Sequence, residues 1–106
     1  MQRTYNTGII NCSQNSNALY IRLTNTSPKS NTIAITIYDY TNSTPRIAYN
    51  TILYVSPKSI KSLTLPLLTR HYDDCFNIEA YEISYKTRNH FIRLSHKELC
   101  IEQPNE

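Results

Sequence analysis

An all-β fold, an antiparallel β-sandwich of jelly-roll type with about seven or eight short strands, is what this chain predicts. Three observations carry that expectation. Apolar residues alternate with polar or aromatic ones along short stretches, the period of a half-buried strand. Clusters of Asn, Ser, Thr and Pro punctuate the chain at spacings of about 8 to 12 residues. Nowhere do ten residues keep a helical period.

The clearest stretch is Asn31 to Tyr40, where Ile33, Ile35 and Ile37 alternate with Ala34, Thr36 and Tyr38. Successive side chains of a strand point opposite ways, so the isoleucines share one face. Before it, Leu19 to Thr24 puts Leu19, Ile21 and Leu23 inward and Tyr20, Arg22 and Thr24 outward. The Asn25–Ser30 loop between them predicts a hairpin with a long connection. After the Thr41–Pro45 turn, Arg46 to Val55 places Ile47, Tyr49, Leu53 and Val55 on one face, with a bend near Asn50. Ser56-Pro57-Lys58-Ser59 is a turn with the proline pre-setting its own backbone angle. Ile60 to Leu65 is a strand ended by Pro66, which suits a strand end and not a ladder. Leu67 to Asp74 is the least regular part and is expected to hold a short helical turn. Cys75 to Tyr85 reads as one long strand whose apolar face switches from Phe76, Ile78 and Ala80 to Tyr81, Ile83 and Tyr85, which implies a bulge or cover on both faces. Thr87 to His90 reads as a turn, Phe91–Leu94 and Leu99–Glu102 as two short final strands, and Gln103–Glu106 as a frayed tail.

The chain of 106 residues is long enough for one core, which gives a single sandwich domain over 13–106 preceded by a flexible polar N-terminal arm over 1–12. The arm holds the only glycine, Gly8, with Ile9 and Ile10 following. Charged residues are 18% and the net charge is +3, well mixed along the chain, so neither nucleic acid nor an anionic membrane is expected as a partner. No apolar run approaches the roughly 18 residues of a membrane span, and Met1 to Asn11 lacks the apolar stretch of a signal peptide. The sequons beginning at Asn11, Asn25 and Asn42 read as chance in an Asn/Ser/Thr-rich chain.

Candidate chemistry is sparse. His71 with Cys75 and His96 with Cys100 repeat a His-x-x-x-Cys spacing, but this is not the Cys-x-x-Cys knuckle of a zinc site, and surface histidines are the simpler reading. Cys12, Cys75 and Cys100 with His71, His90 and His96 form no nucleophile motif, and Asp73 and Asp74 are adjacent, so their carboxylates diverge. One glycine cannot build a phosphate loop. Lys58, Lys61, Lys86 and Arg88 are interspersed with acids, as on a solvated face. No enzyme, cofactor or metal is expected. Three cysteines is an odd number, so at least one is free or joined to another chain. The eleven residues before Cys12 reach up to about 36 Å when extended, and open strand edges pair readily with other chains.

Several phrases resemble a known family. They are T-Y-N-T-G-I-I-N-C at Thr4–Cys12, L-T-N-T-S at Leu23–Ser27, I-T-I-Y-D at Ile35–Asp39 followed by Thr44-Pro45, and V-S-P-K-S at Val55–Ser59. Together they resemble small β-sandwich proteins of spore-forming bacilli, the endospore appendage (Ena) pilus subunits. The resemblance implies a jelly-roll subunit that self-assembles into spore-surface fibres. It implies that an N-terminal connector, here Thr4, Tyr5, Gly8, Ile9 and Ile10, reaches a neighbour and is fixed there by disulfides. Cys12 then stands at the base of the connector, with Cys75 and Cys100 as acceptors or as an internal bridge. Family connectors often carry cysteines within the arm, whereas the first here is Cys12. The expected partners are other copies of the chain, with other spore-surface proteins beside them. A spore-surface location without a signal peptide fits a protein made in the mother cell and oxidised after release. The residues taken alone also allow a small monomeric sandwich that binds carbohydrate or protein through loops such as Asn25–Ser30.

Overall fold

A computed structural model describes residues 2–13, 16–42, 44–71, 74–88 and 91–100, with 68–71 and 74–77 described through their backbone pairing. The described chain is all-β. Its ten strands are β1 (Arg3–Asn6), β2 (Ile10–Asn11), β3 (Ala18–Asn25), β4 (Asn31–Asp39), β5 (Arg46–Val55), β6 (Ser59–Pro66), β7 (Leu68–His71), β8 (Asp74–Asn77), β9 (Ala80–Thr87) and β10 (Ile92–Leu99). One sheet runs β1-β9-β4-β5, with β2 continuing the line of β1 along β9, and the other runs β10-β3-β6. β7 and β8 form a separate two-stranded hairpin. Every pairing is antiparallel. β3 with β10 and β4 with β9 are nested pairs in opposite sheets, after which β5 adds beside β4 and β6 beside β3.

The two inner faces build one core. Leu19, Ile21 and Leu23 of β3 meet Ile33, Ile35 and Ile37 of β4 and Tyr81 and Ile83 of β9, all buried. For β3 and β4 this is the inward set that the alternation predicts, whereas the alternation left both faces of 75–85 open and β9 turns Tyr81 and Ile83 inward. Truncating any of these isoleucines or leucines to alanine costs about 2–5 kcal/mol, through lost transfer energy and the cavity left behind.

β3 and β4 do not form a hairpin. They face each other from opposite sheets, and the connection between them crosses the edge of the sandwich. Asn25 directs that crossing from a buried position: its Oδ1 accepts from the Ser27 N–H and hydroxyl, and its Nδ2 donates to the carbonyls of Lys29, Val55 and Ser56. The side chain thereby ties the end of β3 to the end of β5. With Asn25 1% exposed, that sequon is closed to modification in the folded protein.

Other expectations shift for local reasons. The register of β5 on β4 slips between Ile37 and Tyr38, where Tyr49 and Ile47 are successive partners and Ala48 is the extra residue. The slip reverses the parity of the strand, so Ile47 lies 60% exposed instead of joining Tyr49 and Leu53. No helical turn occupies the described part of 67–74. Leu67 N–H bonds to the Asn17 carbonyl and Ile78 N–H to the Leu67 carbonyl, which brings the two legs together and returns the chain as the β7–β8 hairpin. The long strand expected from Cys75 to Tyr85 is two strands, β8 and β9, broken at Ile78–Glu79, and the apolar switch marks the break. The two final strands are one, β10, because all eight of its residues pair with β3. The expectations for His90, residues 101–102 and the tail at 103–106 lie outside the described residues.

The arm also differs from the flexible segment expected. Its polar side chains offer little to bury, yet β9 has a free edge, and main-chain hydrogen bonds need no particular side chains. β1 pairs from Arg3 opposite Thr87 to Asn6 opposite Ser84, and β2 resumes with Ile10 opposite Tyr81. Between them Thr7, Gly8 and Ile9 oppose only Ile83 and Glu82, so the arm carries a bulge. Gly8 sits there at φ +79°, the left-handed conformation that a G1 bulge needs and that glycine adopts without strain. The bulge keeps Tyr5 and Ile10 on the same face despite their odd spacing. Tyr5 stacks on Tyr85 with ring centroids 4.9 Å apart, and Ile10 packs against the core.

Candidate functional site

The residues expected to matter lie along this arm and at its base. Thr4 and Ile9 are exposed, Tyr5 and Ile10 are half-buried against β9, and Gly8 makes the bulge. Thr7 clamps the middle, its N–H donating to the Ile83 carbonyl at 3.0 Å and its hydroxyl accepting from the Ile83 N–H at 3.1 Å. Cys12 follows β2, its N–H donating to the Glu79 carbonyl at 2.8 Å. Cys100 follows β10 and is exposed, and both are free thiols. Cys75 pairs through its backbone with Arg70, while its thiol lies outside the described residues.

At the base of the arm the structure assembles a cluster that the sequence reading missed. Glu98 lies on β10 in phase with Ile92 and Leu94, so its carboxylate turns toward the other sheet. Oε1 accepts from both the N–H and the hydroxyl of Ser13 at 2.9 Å, and Oε2 accepts from the Tyr81 hydroxyl at 3.1 Å. Ser16 bonds the Ser13 hydroxyl at 2.9 Å. The signal was legible in principle: a carboxylate four and six residues on from a pair of inward apolar residues, and so on their face of a strand. Reading 91–94 and 99–102 as separate strands hid that phase.

The electrostatics follow from this geometry. Burial works to raise the Glu98 carboxyl, but the bonds from Ser13, Ser16 and Tyr81 outweigh it and hold the group below its ordinary value. Burial, then the Glu98 charge and hydrogen bond, push the Tyr81 phenol well up. Burial, with Glu98 and Asp39 adding to it, raises the Cys12 thiol to about 11. Asp39 is itself buried and accepts from the Thr41 N–H at 2.8 Å and from the Thr41 hydroxyl. A thiol held protonated is a poor nucleophile, because the thiolate is the reactive form. The hydrogen bonds of the cluster fasten the base of the arm to both sheets. Among the described residues no three His, Cys, Asp or Glu side chains are placed to hold a metal ion. His96 is exposed on β10, apart from any such group.

The sheets also present edges. β5 ends one sheet and β6 the other, on the same side of the sandwich. Ile52, Tyr54 and Ile60 stand exposed there, with Ile52 at 72%. Lys61 partly blunts this edge, its Nζ donating to the Tyr54 carbonyl at 3.0 Å.

Fold and site together define a small β-sandwich whose N-terminal segment is laid as an edge strand and fastened at its base by a carboxylate. Comparison with family models, with curated proteins and with solved structures gave no match.

Proposed function

We propose that the chain is a structural subunit that self-assembles into a fibre, a pilus-like appendage of a spore surface, without catalytic activity. The observation that supports this reading most is the arm. It is held to β9 chiefly by main-chain hydrogen bonds, and the same bonds form equally well with the β9 of a second copy. Exchange of the arm between copies would open one edge and fill another, which is how a head-to-tail series grows. The edges of β5 and β6, with Ile52, Tyr54 and Ile60 exposed beside them, offer a second contact.

Cysteines would then lock the series. Of the described thiols Cys100 is the exposed one, while Cys12 is half-buried and kept protonated as long as the arm is seated. Linking two of them removes two protons and two electrons, which an oxidant such as dioxygen accepts outside the reducing cell.

Negative-stain electron microscopy of the purified protein, with reducing and non-reducing gels alongside, tests the proposal. Fibres or stacked rings, with multimer bands that collapse on reduction, are expected. A monomer alone under both conditions sinks it and favours the second reading, a monomeric module that binds carbohydrate or protein. That reading draws on a shallow cleft of about 390 Å³ formed by Ser27 to Asn31 with Arg88 and Phe91, in which Phe91 supplies an exposed aromatic face.

A further inference from the structure

The sheets leave a gap between them on the side of β5 and β6. A cavity of about 300 Å³ lies there, walled by Leu19, Ile37, Leu65, Leu67 and Ile78. Ala48 and Pro66 also line it and are exposed, which places the opening beside them. Two sequence features create the gap. The register slip presents the small Ala48 where an isoleucine in phase would have reached inward. Pro66 ends the β6 ladder, so the three-stranded sheet stops short of covering this stretch.

Among the described residues lining the cavity, one carries a polar side chain. Tyr49 lines it half-buried, and its phenol makes no hydrogen bond to the other described residues. Among the described residues no charged side chain lines the space, so their walls offer a charged guest no partner, and a sugar would leave several hydroxyls facing hydrocarbon. An apolar cavity of about 150 Å³ holds one benzene ring. Twice that volume suits a body of about two fused rings or a short branched chain, at the small end of ordinary ligand sites.

We propose that this cavity is a binding site for a small neutral amphiphile, a compact apolar body bearing one hydroxyl or carbonyl that pairs with the Tyr49 phenol. The site is independent of the arm and of the exposed strand edges, and it does not depend on assembly. The guest restores contacts that an empty apolar space forfeits, so it also stabilises the sandwich.

The test is a titration of 2-naphthol, an uncharged probe of this size, into the full chain, followed by methyl NMR. Saturable shifts confined to Leu19, Ile37, Leu65, Leu67 and Ile78 are expected, with affinity below the millimolar range. Ala48→Trp at the exposed rim fills the entrance, and a folded spectrum with binding at least about tenfold weaker is expected. Tyr49→Phe, which keeps the ring, is expected to weaken binding by about fivefold through the lost hydrogen bond. The proposal is overturned by any of three results: no saturable shift, shifts centred instead on Ile52, Tyr54 and Ile60, or unchanged affinity in both variants.

Discussion

The hydroxyl of Tyr81, a fully buried residue of β9, donates to Oε2 of Glu98 on β10 at 3.1 Å and so joins the two sheets across one end of the core. The other oxygen of the same carboxylate holds Ser13 by its N–H and its hydroxyl. One side chain therefore fastens both sheets and the base of the arm.

Glu98→Gln should lower stability at neutral pH by about 1 kcal/mol, a figure discounted for the partial exposure of the group. The folded protein holds this carboxyl below its ordinary value of 4.5. Its contribution is thus present above that value and is lost as pH falls through the lower folded value. Urea unfolding at several pH values should show wild type and variant converging toward acid. A constant gap between them would mean that the carboxylate charge plays no part.

Cys12 should alkylate slowly. With its thiol raised to about 11, roughly one molecule in a thousand is thiolate at pH 8. Iodoacetamide labelling followed by peptide mass spectrometry should modify exposed Cys100 well before Cys12. Glu98→Gln removes a charge that raises the thiol, so it should speed labelling of Cys12. Equal rates at the two cysteines in the wild type would contradict the seated arm.

Gly8→Ala isolates the backbone requirement of the bulge. A Cβ at Gly8 meets nothing within 4 Å, so the cost comes from φ +79° alone and should be about 1 kcal/mol. The loss should be local. Hydrogen exchange at the Thr7 N–H should quicken severalfold while amides of β3 and β4 stay protected.

Asn25→Ala should cost about 2–4 kcal/mol, because it strands the Lys29 and Ser56 carbonyls and the Ser27 N–H at the crossing between sheets. Asn25→Asp turns carboxylate oxygens toward three carbonyls that now accept from Nδ2. The introduced carboxyl can donate only when protonated. Its deficit relative to wild type should therefore be smallest below about pH 4 and grow as pH rises. Thermal unfolding of the variant across that range would reveal a pH-independent deficit if this account were wrong.

Lys58→Asn should stabilise the turn between β5 and β6. Lys58 follows Pro57 at φ +51°, in the left-handed region that lysine adopts at a cost and asparagine tolerates. A gain of about 0.5–1 kcal/mol in chemical unfolding is expected. A loss would mean that the lysine makes a contact outweighing its strain.

The alternation of Leu19, Ile21 and Leu23, and of Ile33, Ile35 and Ile37, was enough to read strands, their inward faces and an all-β class. Side-chain period is a local property, settled within a few residues by the pleat of a strand. What those residues pair with is not local. β3 and β4 have the same pattern whether they share a sheet or face one another, and it is the buried amide of Asn25 that sends the chain across. The slip at Ala48 that turns Ile47 outward is decided against β4, so nothing in 46–55 alone reveals it. The polar arm is the extreme case. Main-chain hydrogen bonds to a free edge carry almost no side-chain signature, so a segment with little to bury looks unattached until β9 is beside it. Gly8 was its one visible mark. The meeting of Tyr81, Glu98 and Ser13 likewise exists only after residues far apart in the chain are brought to one end of the sandwich, because a hydrogen bond depends on distance and angle and not on spacing along the sequence.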